Sequence, residues 1–268
     1  MFQPIRVLDL DGASVQVFDD PASASLAAAE RLAAEIGHAR ARRGKAVLGL
    51  ATGGTPIPVY AHLVERHRAG DLSFADCVTY NLDEYYPISP LDPNSYRAYM
   101  HRHLFGDIDL PPHRAHLLDG TVPEAFADEH AAAYERWIAA DGGLDFQLLG
   151  IGRNGHIGFN EPTDLPVDRA LRLPTRLVEL HPTTIADAAK DFGHDPARVP
   201  RRALTVGIAP ILAARSILIL AFGAAKAEAV TRSLTGPMTA DCPASLLQAV
   251  SGKVTWMLDE AAARELPH

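Results

Sequence analysis

Between Phe146 and Pro162 the chain reads FQLLGIGRNGHIGFNEP, an apolar run that breaks into glycines interleaved with side chains able to do chemistry. Asn154, His156, Asn160 and Glu161 bring donors, acceptors, a carboxylate and an imidazole together, the equipment for moving a proton near neutral pH. Three other clusters share this character. Thr52-Gly53-Gly54-Thr55 follows one apolar run and precedes a helical pattern, so free backbone N–H groups, a helix dipole and two hydroxyls can meet one phosphate. Asp83 and Glu84 end another apolar run and offer carboxylates for general acid and base work. Lys226 falls in the first turn of an expected helix, where a cation is unfavourable unless an anion binds nearby.

Each cluster must be placed by the strand before it. Alternation or continuous apolarity predicts strands over Ser14 to Phe18, Lys45 to Leu50, Cys77 to Leu82, Ala115 to Leu118, Phe146 to Ile151, Ala203 to Gly207, Ser216 to Phe222 and Val254 to Leu258. Asp20 caps a helix with Pro21 in its first turn, and Gly44 follows the basic turn Arg40, Arg42 and Arg43. Further helices are expected over about 58–68, 95–105, 123–140, 183–192 and 224–234. This alternation predicts an α/β fold with a mostly parallel, doubly wound sheet and helices on both faces. Ligands in such a sheet bind beyond the carboxyl ends of the strands, where all four clusters fall. Taken singly, a glycine turn or an acidic turn needs no ligand; their agreement favours an enzyme. Residues 163–177 carry two prolines and three arginines without a period, and are expected to form a mobile loop or lid.

Composition narrows the partners. A chain of 268 residues, 47% hydrophobic and 22% charged, suffices for one large domain with a substantial core. Its net charge of −8, with no run of Lys or Arg, argues against nucleic acid and anionic membrane surfaces. Cys77 and Cys242 lack metal-type spacing and read as thiols in a reducing compartment. No segment approaches the ~20 apolar residues of a membrane span, and the N-terminus lacks a secretory pattern, so a cytoplasmic protein is expected.

LGLATGGTP (48–56), NLDEYYPISPLDPNSY (81–96), LLGIGRNGHIGFNEP (148–162), ALTVGI (203–208) and GAAKAEAV (223–230) together resemble the glucosamine-6-phosphate deaminase/isomerase family. The resemblance runs over nearly the whole chain; GHIGFNEP is specific, whereas TGGTP is shared with the related 6-phosphogluconolactonases. It implies a Rossmann-like fold in a single domain spanning 1–268, with a lid at about 163–192. It also implies conversion of glucosamine 6-phosphate and water to fructose 6-phosphate and ammonia, without organic cofactor or metal. Asp83 would be the base moving a proton between C2 and C1, and His156 the acid/base opening the sugar ring, supported by Glu161 and Asn154. Thr52, Gly53, Gly54, Thr55 and Lys226 would hold the phosphate. A small phosphosugar is then the partner, and a homo-oligomer is left open. Alternatives are the galactosamine epimer as substrate, a lactonase, and a sugar-phosphate sensor without catalysis.

Two positions depart from the family pattern. Asn154 stands where many members have Asp, which is expected to alter the pH profile and leave activity in place. Thr183-Thr184-Ile185 stands where the pattern sets an arginine that closes over the phosphate, and threonine cannot reproduce a bidentate guanidinium grip. Either Arg169, Arg172 or Arg176 of the preceding loop is expected to substitute, or the far end of the substrate to be held differently. Residues that bind an allosteric activator in some members are not matched.

Overall fold

The computed structural model describes residues 3–267. A hairpin opens the chain, β1 (Arg6–Leu10) pairing antiparallel with β2 (Ala13–Phe18). Sequence pattern reveals only β2, whose Val15 and Val17 are buried; β1 is a half-exposed edge strand carrying Arg6 and Asp9. Asp20 caps α1 (Pro21–Arg43), its Oδ1 accepting from the Ser23 N–H at 2.7 Å, and Gly44 ends the helix at φ +76°.

There follow β3 (Ala46–Leu50), α2 (Ile57–Arg68), β4 (Cys77–Asn81), β5 (Asp83–Tyr86), α3 (Tyr96–His103), β6 (Ala115–His116), α4 (Ala127–Ala140) and β7 (Phe146–Gly150). The second half holds α5 (Val167–Ala170), β8 (Arg176–Glu179), α6 (Pro182–Ala188), β9 (Arg202–Thr205), α7 (Ile208–Ala213), β10 (Ser216–Ala221), α8 (Ala227–Thr235), β11 (Val254–Asp259) and α9 (Glu260–Ala263).

Eight strands form one sheet in the order β1-β2-β11-β10-β7-β3-β4-β6, parallel throughout except for the opening hairpin. This is the expected α/β fold. Its central strands are buried along nearly their whole length, the apolar runs of a sheet covered on both faces. At the amino end of β7, buried Asp145 accepts from the Val47 N–H at 2.9 Å and from the Arg43 guanidinium, joining the last turn of α1 to the sheet.

A second, antiparallel sheet, β5-β9-β8, was not legible in the sequence and corrects two expectations. Asp83-Glu84-Tyr85-Tyr86 is a strand, not the end of one, because Asp83 to Tyr86 pair with Thr205 to Arg202. Within the expected loop 163–177, α5 is helical and Arg176 begins β8, whose partners in β9 supply the order that local pattern lacks. Tyr85, Ile88, Phe159, Leu180, Ile185, Phe192 and Val199 give this layer its own small core.

Candidate active site

β10, β7, β3 and β4 are neighbours in the large sheet, and each carries one polar cluster beyond its carboxyl end. The chain winds from β3 to β4 and β6 on one side and from β7 to β10 on the other. The β3–β7 ladder is short, Leu48 with Phe146 and Gly49 with Gln147, and a crevice opens where it ends. The cavity there measures about 520 Å³ and is lined by Thr52 to Thr55, Asp83, His156 and Lys226.

Asp83 is held at the junction of the two sheets. The Leu82 N–H donates to the Leu50 carbonyl at 3.0 Å, and the Leu82 carbonyl accepts from the Val206 N–H at 2.7 Å. Gly158 lies beside it at φ +57°, where a Cβ would stand a tight 3.1 Å from Thr205 Oγ1 and 3.5 Å from Asp83 Oδ2. Asp83 Oδ1 is buried without a protein partner. Burial first, then the charge of Glu84, pushes the Asp83 carboxyl up to about 8, against a hydrogen bond from Thr52. Glu84 is also raised by burial, but it accepts the Tyr85, Tyr96 and Arg97 N–H groups at 2.9 to 3.1 Å, capping α3. Those donors favour its ionised form, so Asp83 is the member of the pair that holds a proton.

His156 lies flat on Gly152, where a Cβ would overlap the imidazole. Its Nδ1 stands 3.3 Å from Glu161 Oε2 and 3.3 Å from Thr184 Oγ1, leaving Nε2 for a substrate. Asn154 completes the support. Its Nδ2 donates to Glu161 Oε2 at 3.0 Å and its Oδ1 accepts from the His156 N–H at 3.2 Å. Burial alone would raise the Glu161 carboxyl, but hydrogen bonds and charge from His156, with Thr184 and Asn154, outweigh it and hold the group at about 2. Asn160 works on the backbone instead, its Nδ2 donating to the carbonyls of Ile157 and Val206 at 3.0 and 2.9 Å and so locking the loop.

The Thr52 to Thr55 turn is fixed from behind. Tyr60 Oη donates to the Ala51 carbonyl at 2.5 Å and Tyr99 Oη to the Gly53 carbonyl at 2.6 Å. Gly53, at φ +103°, and Gly54 are exposed to the cavity with open space beside them. Lys226 projects from the turn preceding α8, its ammonium lowered first by burial and further by the charges of Arg153 and Lys190, against Asp187. A dianion set between this turn and Lys226 would relieve that opposition.

Residues 19–171 match the family model for glucosamine-6-phosphate isomerases/6-phosphogluconolactonase. The chain is 48% identical over 249 residues to a glucosamine-6-phosphate deaminase of Rhodopirellula baltica, covering 93% of this chain and 94% of that protein. It belongs to this family. A glucosamine-6-phosphate deaminase 2 of Bacillus subtilis is 45% identical over 82% of the chain and 86% of its own length. Among solved structures, a monomeric glucosamine-6-phosphate deaminase superposes with TM-score 0.86 at 40% identity, over 93% of this chain and 98% of that one. The 6-phosphogluconolactonase of Trypanosoma brucei superposes with TM-score 0.77 at 21% identity, over 94% and 98%, and shares the fold.

Against the family pattern, the missing arginine has a structural account. Ile185 points into the small core, 6% exposed, and none of the expected substitutes reaches the cavity. Arg169 and Arg172 are exposed elsewhere, and Arg176 Nη1 donates to Asn160 Oδ1 at 2.9 Å. The cation that lines the cavity from this layer is Lys190, one short turn beyond α6, with Thr184, Asp187 and Asp191 beside it. Sequence reading missed Asp187, Lys190 and Asp191, and marked Thr184 only as the neighbour of the absent arginine. Their spacing of three to four residues along one helical face was the available signal.

Proposed function

We propose that this chain converts glucosamine 6-phosphate and water to fructose 6-phosphate and ammonia. The observation that carries the proposal is that a single cavity is lined by Asp83, His156, the Thr52 to Thr55 turn, Lys190 and Lys226. The 40 to 48% identity to proteins named as glucosamine-6-phosphate deaminases over most of the chain supports the same reading.

The chemistry follows from the geometry. His156 Nε2 moves a proton between the anomeric hydroxyl and the ring oxygen, opening the pyranose to an aldehyde, while Glu161 fixes the ring through Nδ1. Asp83 removes the proton from C2 to give an enolamine and returns it to C1, which leaves an iminium at C2. Water adds to that carbon, and ammonia departs as the ketone forms. Ionising Asp83 inside the cavity is unfavourable alone; the ammonium of an amino sugar a few ångströms away offsets that cost. The phosphate sits against Thr52, Gly53, Gly54, Thr55, Lys226 and Lys190, and anchors C1 and C2 within reach of Asp83.

Residues 163–192 act as a lid on one catalytic domain spanning the chain. A phosphorylated substrate that does not cross membranes, two free and buried cysteines, and the absence of any helix among the described residues long and apolar enough to span a bilayer fit a cytoplasmic enzyme. Incubation with glucosamine 6-phosphate and, separately, its galactosamine epimer tests the reading by assay of ammonia and ketose phosphate. Ammonia from the first substrate is expected; none from either, with tight binding retained, would leave a sensor in its place.

A further inference from the structure

We infer that Thr184 is a positioning residue for the ring-opening step, a hydroxyl through which α6 holds the His156 imidazole. The inference rests on the deaminase reading and extends it to a residue that sequence pattern marks only as the neighbour of a missing arginine.

Thr184 is 6% exposed, lines the cavity, and places Oγ1 3.3 Å from His156 Nδ1. The Thr184 hydroxyl also helps hold Glu161 in its ionised form, and Glu161 Oε1 accepts from the His181 N–H at 3.3 Å at the start of α6. Glu161 and His156 belong to the loop after β7, whereas His181 and Thr184 belong to the layer carrying the small sheet. The relay is therefore assembled across two parts of the fold. With Glu161 ionised, the consistent proton arrangement has Nδ1–H shared between Glu161 and Thr184, and the Thr184 proton donated to Glu161. That arrangement fixes the neutral tautomer with its lone pair on Nε2, facing the substrate.

Removing the hydroxyl leaves the ring one contact on Nδ1 and frees its rotation about χ2. Ile185, packed beside Thr184 in the small core, sets the register of α6 that aims the hydroxyl. The titratable groups around the imidazole are Glu161 on its own loop, Asp187, Lys190 and Asp191 from the α6 layer, Lys226 before α8, and Asp83 across the cavity. Thr184 is the neutral group among these partners that touches the ring nitrogen directly.

Thr184→Val, Thr184→Ala and Thr184→Ser separate a hydroxyl function from a packing function. The valine and alanine variants are expected to lower kcat by about tenfold, one hydrogen bond to a charged group, with KM within about twofold and the acid limb of the pH profile moved. The serine variant restores kcat to within about twofold of the parent. The 15N shifts of the His156 imidazole, assigned by their loss in His156→Asn, read the tautomer without turnover: one tautomer in the parent, a mixture in valine and alanine variants. Parent-like kcat, pH profile and 15N shifts in those two variants would overturn the inference, as would equal losses in all three with an unmoved profile. A parent protein that holds one tautomer but releases no ammonia would instead overturn the deaminase reading.

Discussion

Asp83→Asn should abolish deamination and make the protein more stable, increasingly so as pH rises. The Asp83 carboxyl has a folded pKa of about 8 against 3.8 for the free group, with burial the main cause. A raised folded pKa means that its contribution is fully present below the unfolded value and lost as pH climbs through the folded one. If the entire shift were realised, the ionised carboxylate would cost about 6 kcal/mol at alkaline pH, taking ~1.4 kcal/mol per unit. The carboxyl borders an open cavity that admits water, so roughly a third of this, about 2 kcal/mol, is the reasonable expectation. Asparagine keeps the shape and removes the charge. At ~2–4 °C per kcal/mol for a chain of this size, Asp83→Asn should raise Tm by about 5 °C near pH 9 and by little near pH 5. Differential scanning calorimetry across that range is the measurement. A Tm at alkaline pH no higher than the parent's, or a gap that does not grow with pH, would refute the assignment of a strained, proton-holding base. The parent's kcat/KM should accordingly rise along a limb far above the ordinary carboxylate range, and the limb in kcat should lie lower, because bound ammonium favours ionised Asp83.

Gly152→Ala puts a methyl into the space of the His156 ring and should lower kcat by about 100-fold through displacement from Glu161, with a destabilisation of ~1–3 kcal/mol; unaltered kcat would show that the ring works from elsewhere. Asn154→Asp removes the Nδ2 donor to Glu161 and sets a second carboxylate against the first, so one of the two must titrate higher and the pH–rate profile should move while activity persists. An unmoved profile would show that residue 154 does not tune the relay. Lys190→Met should raise KM for glucosamine 6-phosphate by about tenfold or more and change kcat by less than about threefold, the loss of one charge-assisted phosphate contact. Steady-state kinetics decide this, and an unchanged KM would assign the phosphate to Lys226 and the Thr52 to Thr55 turn alone.

What the sequence made legible follows a physical division. β3, β4, β7 and β10 are buried on both faces and bounded by glycines or polar clusters, so their apolar runs and ends were readable one strand at a time. His156, Asp83 and the Thr52 to Thr55 turn followed, since each is the first chemistry after such a run. Of the small sheet, β9 alone was readable in this way, as the run from Ala203. Its strands have four residues each, and β8 is half-exposed with an arginine at its head and a glutamate at its tail. β5 is ordered by pairing with a segment over 100 residues away, as between Asp83 and Thr205, and β8 by pairing with β9, which no local pattern records. The misplaced expectation for Arg176 has the same origin: once β8 forms, its guanidinium is committed to Asn160 in the loop after β7.

The two sheets also divide the catalytic labour. Leu82 is bonded through its N–H to β3 and through its carbonyl to the residue after β9, so Asp83, the next residue, is fixed to both layers at once. Thr184 and Lys190 are seated on the small core through Ile185, Ala189 and Phe192, and the Arg153–Asp187 pair and the Thr184–His156 contact tie their segment to the loop after β7. Displacement of α6 relative to the loop after β7 would draw the hydroxyl from His156 and the ammonium from the cavity, while Asp83 stayed held by both sheets. Ring opening and phosphate grip would then fail together, whereas the proton shuttle would keep its place. Thr184 and Lys190 thus place a contact to the imidazole and a cation of the cavity on one helical segment.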